Sequence, residues 1–117
     1  MTMSSDPNCI FCKIVAGQIP AKKAYEDEEL LVFHDINPWA PVHVLIIPKR
    51  HIPTMFDIDE SHAGLLGRMS TLAPKLMREL GVKEGFRIVV NTGRDGGQEV
   101  YHLHMHVMGG PRPWLKG

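Results

Sequence analysis

Three histidines occupy alternate positions near the end of the chain, in the segment YHLHMHVMGG that covers residues 101–110. Successive side chains of a β-strand point to opposite faces, so a strand here places His102, His104 and His106 together on one face. A single histidine on such a face is ordinarily just solvated or hydrogen-bonded. Three of them, beside the glycine-rich segment TGRDGGQ with its expected free backbone N–H groups, favour a reaction centre.

Distance argues against one metal ion held by all three imidazoles. At about 3.3 Å per residue, the outer Cα atoms of the strand lie roughly 13 Å apart, too far for one tetrahedral ion. Nucleophilic catalysis fits better, because a neutral imidazole offers a lone pair near pH 7, and neighbouring imidazoles and amides can stabilise charge on phosphate oxygens. His104 has a like neighbour on both sides, so we predict that it is the nucleophile.

The two cysteines, Cys9 and Cys12, are spaced as C-x-x-C. Two cysteines are too few for a disulfide-stapled secreted domain. They provide half of a tetrahedral zinc site, which His51 and one end of the histidine series would complete. Two reduced thiols that pack as small apolar groups are an equally good interpretation.

Length and charge narrow the class of protein. The 117 residues suit one domain spanning residues 1–117, and thirteen basic side chains balance thirteen acidic ones. No bulk charge attracts nucleic acid or an anionic membrane. The sequence shows neither a signal peptide nor an apolar run long enough to cross a bilayer, so we predict a cytoplasmic protein.

The elements that position these residues follow from local patterns. Asn8 is the expected N-cap of a short helix, CIFCKIVA, that ends at Gly17. Leucine and methionine recur at helical spacing from Asp59 to Leu80, where Pro74 predicts a kink or a break. Strands are predicted at KKAYE, ELLVFHD, VHVLIIP, FRIVVN and VYHLHMHVM. The predicted fold is α+β, an antiparallel sheet of about five strands with one long helix and a short N-terminal helix.

The segment HLHMHVM is similar to the H-x-H-x-H-x-x signature of the histidine triad (HIT) superfamily of nucleotide hydrolases and transferases. Two longer segments, IPAKKAYEDEELLVFHDINPWAPVHVLIIPKRHI and RIVVNTGRDGGQEVYHLHMHVMGG, resemble the branch of purine nucleoside phosphoramidases. The resemblance therefore covers nearly the whole chain. It implies a HIT-like fold and a homodimer with a continuous sheet.

The resemblance also implies the reaction. The enzyme is expected to hydrolyse purine nucleoside 5′-phosphoramidates, such as adenosine 5′-monophosphoramidate, through a nucleotidyl-histidine formed on His104. By similarity, His106 and His43 contact the phosphate, and the backbone around His102 orients the nucleophile. No cofactor is needed for this catalysis. Two alternatives stay open, a dinucleoside polyphosphate hydrolase and a non-catalytic module that binds purine nucleotides or zinc.

Further site residues follow from the same resemblance. Asp35 matches the carboxylate that accepts from the ribose hydroxyls, and Glu99 stands near the phosphate and the leaving group, where relatives often carry serine. Cys9, Cys12, His51 and His102 resemble the structural zinc site of other branches. The remaining positions form the apolar slot for the purine, with Phe11, Phe33, Ile36 and Leu45, and the phosphate loop, with Asn91, Gly97 and Gln98.

Overall fold

A computed structural model describes residues 5–115 of the chain. Its elements, in chain order, are α1 (Ile10–Val15), β1 (Lys23–Glu26), β2 (Leu30–His34), β3 (Val42–Pro48), α2 (Ala63–Glu79), β4 (Phe86–Val89) and β5 (Met105–Gly109). The strands form one antiparallel sheet in the order β1-β2-β3-β5-β4, so the predicted α+β class with five strands is confirmed. In the chain, the short helix α1 precedes β1, and the long helix α2 lies between β3 and β4.

The two faces of the sheet are covered by different helices. Alternate residues of β2 and β3 pack in one cluster with α2, and the residues between them pack in a second cluster with α1. Burial on both faces explains why these strands read as continuous apolar runs rather than as alternating patterns. The α2 side includes Leu30, Val32, Val44 and Ile46, and the α1 side includes Leu31, Phe33, Leu45 and Ile47.

The long helix differs from its prediction at both Asp59 and Pro74. The helix α2 begins at Ala63, because Asp59 instead caps a separate 3-10 turn, Glu60–His62, by accepting a hydrogen bond from the Ser61 amide. Helix α2 continues through Pro74 to Glu79, so of the two outcomes expected at Pro74, a kink or a break, the break did not occur. Its apolar stripe packs on the sheet, and this packing stabilises the helix despite the lost backbone donor.

The short helix is capped by Cys9, so the prediction of Asn8 as N-cap was wrong. The Cys9 Sγ accepts from the Cys12 amide at 3.4 Å. The Asn8 amide donates to Asp6 Oδ1 at 2.8 Å, which places Asn8 in the preceding turn. Gly17 follows the helix with a φ of 78°, as the sequence predicted.

The last strand is shorter than predicted, since β5 begins only at Met105. Before it, the Leu103 amide donates to the Ile52 carbonyl at 2.6 Å, outside the sheet ladder. The expected separation of faces nevertheless holds, because Leu103, Met105 and Val107 belong to the α2 cluster. His102 and His104 contact Phe11 of α1 on the other side.

None of the helices in the described part of the chain has the length and apolar character needed to cross a membrane.

Candidate active site

A cavity of about 710 Å³ opens on the α1 side of the sheet, next to the histidine series. Its volume is typical of a site for a nucleotide-sized ligand. It is lined by α1, by β2 and β3, by the loop between those strands and by the segment before β5. Most predicted site residues line it, namely Phe11, Phe33, Asp35, Ile36, His43, Leu45, Asn91, Gly97, Glu99, His104 and His106.

His104 has its proton placed by the backbone. Its Nδ1 lies 2.7 Å from the His102 carbonyl oxygen, and because a carbonyl only accepts, Nδ1 must carry the hydrogen. The lone pair is then on Nε2. Burial lowers the pKa of His104 below the ordinary histidine value, although the hydrogen bond to His102 opposes this shift. The ring is therefore neutral at pH 7, and its Nε2 lone pair is suited to nucleophilic attack.

His43 and His106 form a second ordered pair. The Trp39 amide donates to His43 Nδ1 at 3.0 Å, so the His43 proton is on Nε2, from which it is donated to His106 Nδ1 at 2.9 Å. His106 is left with an N–H on Nε2, a donor suited to a phosphate oxygen. Burial lowers the pKa of His43, and it lowers that of His106 to about 4, so both rings are neutral at pH 7. Since both His43 nitrogens have protein partners, His43 orients the His106 ring.

A carboxylate beside this pair raises the question of a metal ion. Asp35, His43 and His106 have donor atoms within 4.8 Å of one another. However, a neutral imidazole that binds a metal through Nε2 carries its hydrogen on Nδ1. At His43, that hydrogen would face the Trp39 N–H. The donor pattern of these three residues therefore disfavours a metal ion.

Aromatic and aliphatic side chains form the dry end of the cavity. The Phe11 ring meets Phe33 edge-to-face at a centroid distance of 5.4 Å and meets His104 at 5.2 Å. Phe33 is itself buried, and so is Leu45, which also lines the cavity. Such rigid apolar walls are what a flat purine ring needs. The sequence prediction missed further lining residues, including Ile14, Ile19, Pro20, Ala21, His34, Asn37, Trp39 and Val100.

Gln98 does not belong to the cavity lining, contrary to the predicted contact with nucleotide. Its side-chain oxygen accepts from the Gly93 amide at 2.9 Å, and its Nε2 donates to the carbonyls of Pro53 at 2.7 Å and Val100 at 3.0 Å. These bonds engage both N–H donors and the oxygen of the side-chain amide. Gln98 therefore holds the loop that presents Glu99.

The glycine-rich loop also differs from its prediction. We expected free backbone N–H groups, but the Gly97 amide donates to the Arg94 carbonyl at 3.1 Å, and the Gln98 amide donates to the Gly93 carbonyl at 3.0 Å. The amides of Gly93, Gly97 and Gln98 are thus engaged within the loop. Imidazoles, rather than these amides, are the better phosphate donors.

The cysteines, His51 and His102 meet behind the catalytic ring. Their donor atoms all lie within 4.8 Å of one another. His102 Nδ1 lies 3.4 Å from Cys9 Sγ, 3.6 Å from Cys12 Sγ and 3.3 Å from His51 Nδ1, and Cys12 Sγ lies 3.4 Å from His51 Nδ1. A tetrahedral zinc ion with ordinary bond lengths separates sulfur from nitrogen by about 3.6 Å and two nitrogens by about 3.3 Å. The four residues fit zinc.

His102 joins this cluster to His104. Its Nε2 donates to the Pro48 carbonyl at 2.7 Å, so its Nδ1 directs a lone pair at the thiols, and its own carbonyl holds His104. The side chain is 0% exposed, and burial lowers its pKa to about 4. His102 is therefore a structural residue of the site that has no access to substrate.

A family model described as the HIT domain matches residues 16–112, which is most of the chain. The chain belongs to the HIT domain family. This HIT protein is 50% identical over 104 residues to Protein HitA of Neisseria gonorrhoeae, covering 89% of the chain and 97% of that relative. It is 49% identical over 102 residues to the purine nucleoside phosphoramidase of Escherichia coli strain K12, covering 86% of each.

Solved structures give the same fold. The HIT family hydrolase from Legionella pneumophila Philadelphia 1 is 48% identical with a TM-score of 0.87, covering 90% of this chain and 95% of that chain. A Zn-bound histidine triad family protein from Mycobacterium smegmatis is 35% identical with a TM-score of 0.77, covering 87% and 74%. These relatives support a hydrolase of the HIT family that acts on a nucleotide.

Proposed function

We propose that this HIT protein hydrolyses purine nucleoside 5′-phosphoramidates, such as adenosine 5′-monophosphoramidate, to the nucleoside monophosphate and an amine. The observation that carries the proposal is the His104 ring, neutral and with its proton held by the His102 carbonyl, at the wall of a nucleotide-sized cavity. The similarity to the E. coli purine nucleoside phosphoramidase supports the substrate class.

In the first step, the Nε2 lone pair of His104 forms a bond to phosphorus while the P–N bond of the substrate breaks. The electron pair of that bond leaves with the amine nitrogen, which takes up a proton from solvent, and a proton released from water in the second step replaces it. The N–H of His106 is the donor that stabilises charge on the phosphate oxygens. Phe11, Phe33 and Leu45 surround the purine, and Asp35 accepts from the ribose hydroxyls.

In the second step, water attacks the nucleotidyl-histidine and restores neutral His104. Over both steps one water is consumed. Its oxygen ends on phosphorus, one of its protons ends on the amine, and the other is released with the phosphate. The chemistry uses this chain's own imidazoles and needs no further redox or metal step.

The test is the release of amine from adenosine 5′-monophosphoramidate. Replacing His104 by Ala should abolish turnover but preserve AMP binding measured by calorimetry. Hydrolysis of a diadenosine polyphosphate is assayed in parallel. Faster turnover of this compound than of the phosphoramidate would favour the alternative of a dinucleoside polyphosphate hydrolase. Wild-type protein that binds AMP yet releases no amine would support the non-catalytic binding module and refute the proposal.

We also propose a structural zinc ion held by Cys9, Cys12, His51 and His102, which the donor spacing favours. It would fix α1 to the segment before β5. A reducing compartment such as the cytoplasm keeps both thiols available. Elemental analysis of the purified protein should find about one zinc per chain, and Cys12→Ser should lower both the zinc content and the thermal midpoint. Wild-type protein that contains no zinc, and whose thermal midpoint does not fall in Cys12→Ser, would contradict the proposed zinc site.

The last proposal is a homodimer with a continuous sheet. The strand β4 is the last in the sheet order, so one of its edges has no neighbouring strand in the described chain. Phe86 and Ile88 on this strand are 38% and 40% exposed. An unpaired edge that carries apolar side chains is suited to pairing with a second copy.

A further inference from the structure

Trp39 extends the row of catalytic rings. The centroids of His104 and His106 lie 4.9 Å apart, and the Trp39 ring lies 6.5 Å beyond His106 with an angle of only 13° between the two planes. Trp39 also meets His43 edge-to-face at 6.2 Å. The order along the row is thus nucleophile, phosphate donor, tryptophan.

Hydrogen bonds at both its amide and its carbonyl hold the Trp39 backbone in place. Its amide donates to His43 Nδ1, and its carbonyl accepts from the Leu115 amide at 2.8 Å. The side chain lines the cavity and is 39% exposed. It is a large aromatic surface in a fixed position at the mouth of the site, where a ligand can contact it with little loss of side-chain entropy.

The direction of the reaction brings the amine toward this ring. In displacement at phosphorus, the attacking and leaving atoms lie roughly in line, so the amine departs on the side opposite to His104. Phe11, which contacts His104, marks the apolar end for the purine. Trp39, beyond His106, marks the other end. A substrate that spans the cavity from the first end to the second places its amine substituent beside Trp39.

We propose that Trp39 forms the leaving-group subsite and that it selects amines carrying an aromatic ring. This inference rests on the proposed phosphoramidase activity and deepens it. Offset stacking or edge-to-face contact between two aromatic rings favours such an amine over a saturated one of equal size by roughly 2- to 12-fold. The same bonds form and break as with any other amine, so Trp39 determines specificity and takes no part in the chemistry.

The experiment compares two adenosine 5′-phosphoramidates, one of 2-phenylethylamine and one of 2-cyclohexylethylamine. The two amines match in chain length and nearly in size, and they differ in aromaticity. Wild-type protein should show a ratio of kcat/KM that favours the phenyl compound by about 2- to 12-fold. Trp39→Leu should bring this ratio close to one, and Trp39→Phe should restore part of it.

Phe56→Leu is the matched control, because Phe56 is an aromatic residue that is 88% exposed and does not line the cavity. It should retain the wild-type ratio. A ratio that Trp39→Leu leaves unchanged, with both compounds still hydrolysed, would overturn the inference while the proposed function stands. Wild-type protein that hydrolyses adenosine 5′-monophosphoramidate but neither compound would overturn the inference alone, whereas hydrolysis of none of the three would overturn both. Should Trp39→Leu not fold, the ratio measured with Trp39→Phe decides, since a smaller ring should lower it.

Discussion

At the scale of single residues, the imidazoles of His43, His104 and His106 on the cavity wall of the proposed active site each have their proton placed by a neighbour before any substrate arrives. The His102 carbonyl fixes the tautomer of His104, and the Trp39 amide fixes that of His43, which in turn fixes that of His106. The proposed nucleophile and the proposed phosphate donor therefore have their tautomers set without rearrangement. Such preorganisation is the usual source of electrostatic catalysis.

Loss of the His106 N–H, the proposed phosphate donor, should lower kcat strongly. Replacing His106 by Ala removes the N–H that faces developing charge, and we expect kcat to fall by roughly 10²- to 10³-fold with a smaller change in KM. Steady-state kinetics with adenosine 5′-monophosphoramidate measures both. His62→Gln, which changes an imidazole outside the cavity lining, should retain wild-type kcat. An equal loss in both variants would contradict the assigned role.

Glu99 should act on specificity through its charge. A carboxylate on the cavity wall repels a phosphate dianion but attracts a cationic amine substituent. Replacing it by the isosteric Gln should therefore lower the ratio of kcat/KM for cationic over neutral leaving amines. A competition assay with two phosphoramidates whose amines differ only in a terminal ammonium group measures this ratio. No change would show that Glu99 turns away from the amine.

Histidine spacing alone predicted that the imidazoles lie on the side of the sheet away from α2, because alternation on a strand is a short-range pattern. The sequence did not reveal Trp39, Ile14 or Ile19, whose importance depends on where a loop and a helix pack. Nor did it show that Gln98 faces its own loop, since only the fold brings Pro53 within reach of that amide.

At the scale of elements, one charged cluster joins α2 to the turn between β1 and β2. Arg68 of α2 donates to Asp27 at 2.5 Å and also pairs with Glu29. Asp27 accepts in addition from the amides of Glu29 and Leu30, each at 2.8 Å, and from the Tyr25 hydroxyl at 2.8 Å. Partial burial raises the pKa of Asp27, but these bonds outweigh it and hold the pKa well below its ordinary value.

The stability of the protein should therefore depend on Asp27 in a pH-dependent way. A carboxyl group with a lowered folded-state pKa stabilises the fold above its unfolded pKa of about 3.9, and this stabilisation is lost as the pH falls through the folded value. Asp27→Asn should cost on the order of 1 kcal/mol at pH 7, with the difference shrinking below about pH 4.

Urea unfolding of both proteins at pH 7 and at pH 3 measures this difference. Asp95→Asn, at an ion pair whose side chains are almost fully exposed, should be close to neutral at both values. A cost for Asp27→Asn that is the same at pH 3 as at pH 7 would show that the charge is not responsible.

Element types were predictable here, but several boundaries were not. The strand β3 matches its prediction, because a run of β-branched residues buried on both faces has few other conformations. The predicted start of β5 was wrong, because the residues before Met105 bond outside the sheet. The His102 side chain donates to the Pro48 carbonyl, and the Leu103 amide donates to the Ile52 carbonyl. The predicted start of α2 was wrong because Asp59 caps the separate 3-10 turn Glu60–His62.

At the scale of the whole molecule, the proposed dimer should depend on the edge of β4. Ile88→Lys places a charge on a strand edge, which opposes edge-to-edge pairing. Sedimentation equilibrium should then show a monomer where the wild type is a dimer. Ile10→Lys, another exposed isoleucine but on α1, should leave the association unchanged. A monomeric wild type would refute the dimer outright.

The resemblance of the sequence predicted the family and the sheet, since motifs of this kind extend along most of the chain. Association and metal content stay predictions. Both depend on groups brought together from distant positions, as His51 and Cys12 are.

The helix α1 lies wholly before residue 16, where the match to the HIT domain begins. It nevertheless supplies Phe11 to the wall of the cavity and both thiols to the cluster behind His102. A protease that cut after Val15 would leave every imidazole in the chain, yet it would strip the nucleophile of its aromatic neighbour and its rear support. Substitutions chosen only within the matched region would therefore leave this part of the site untested.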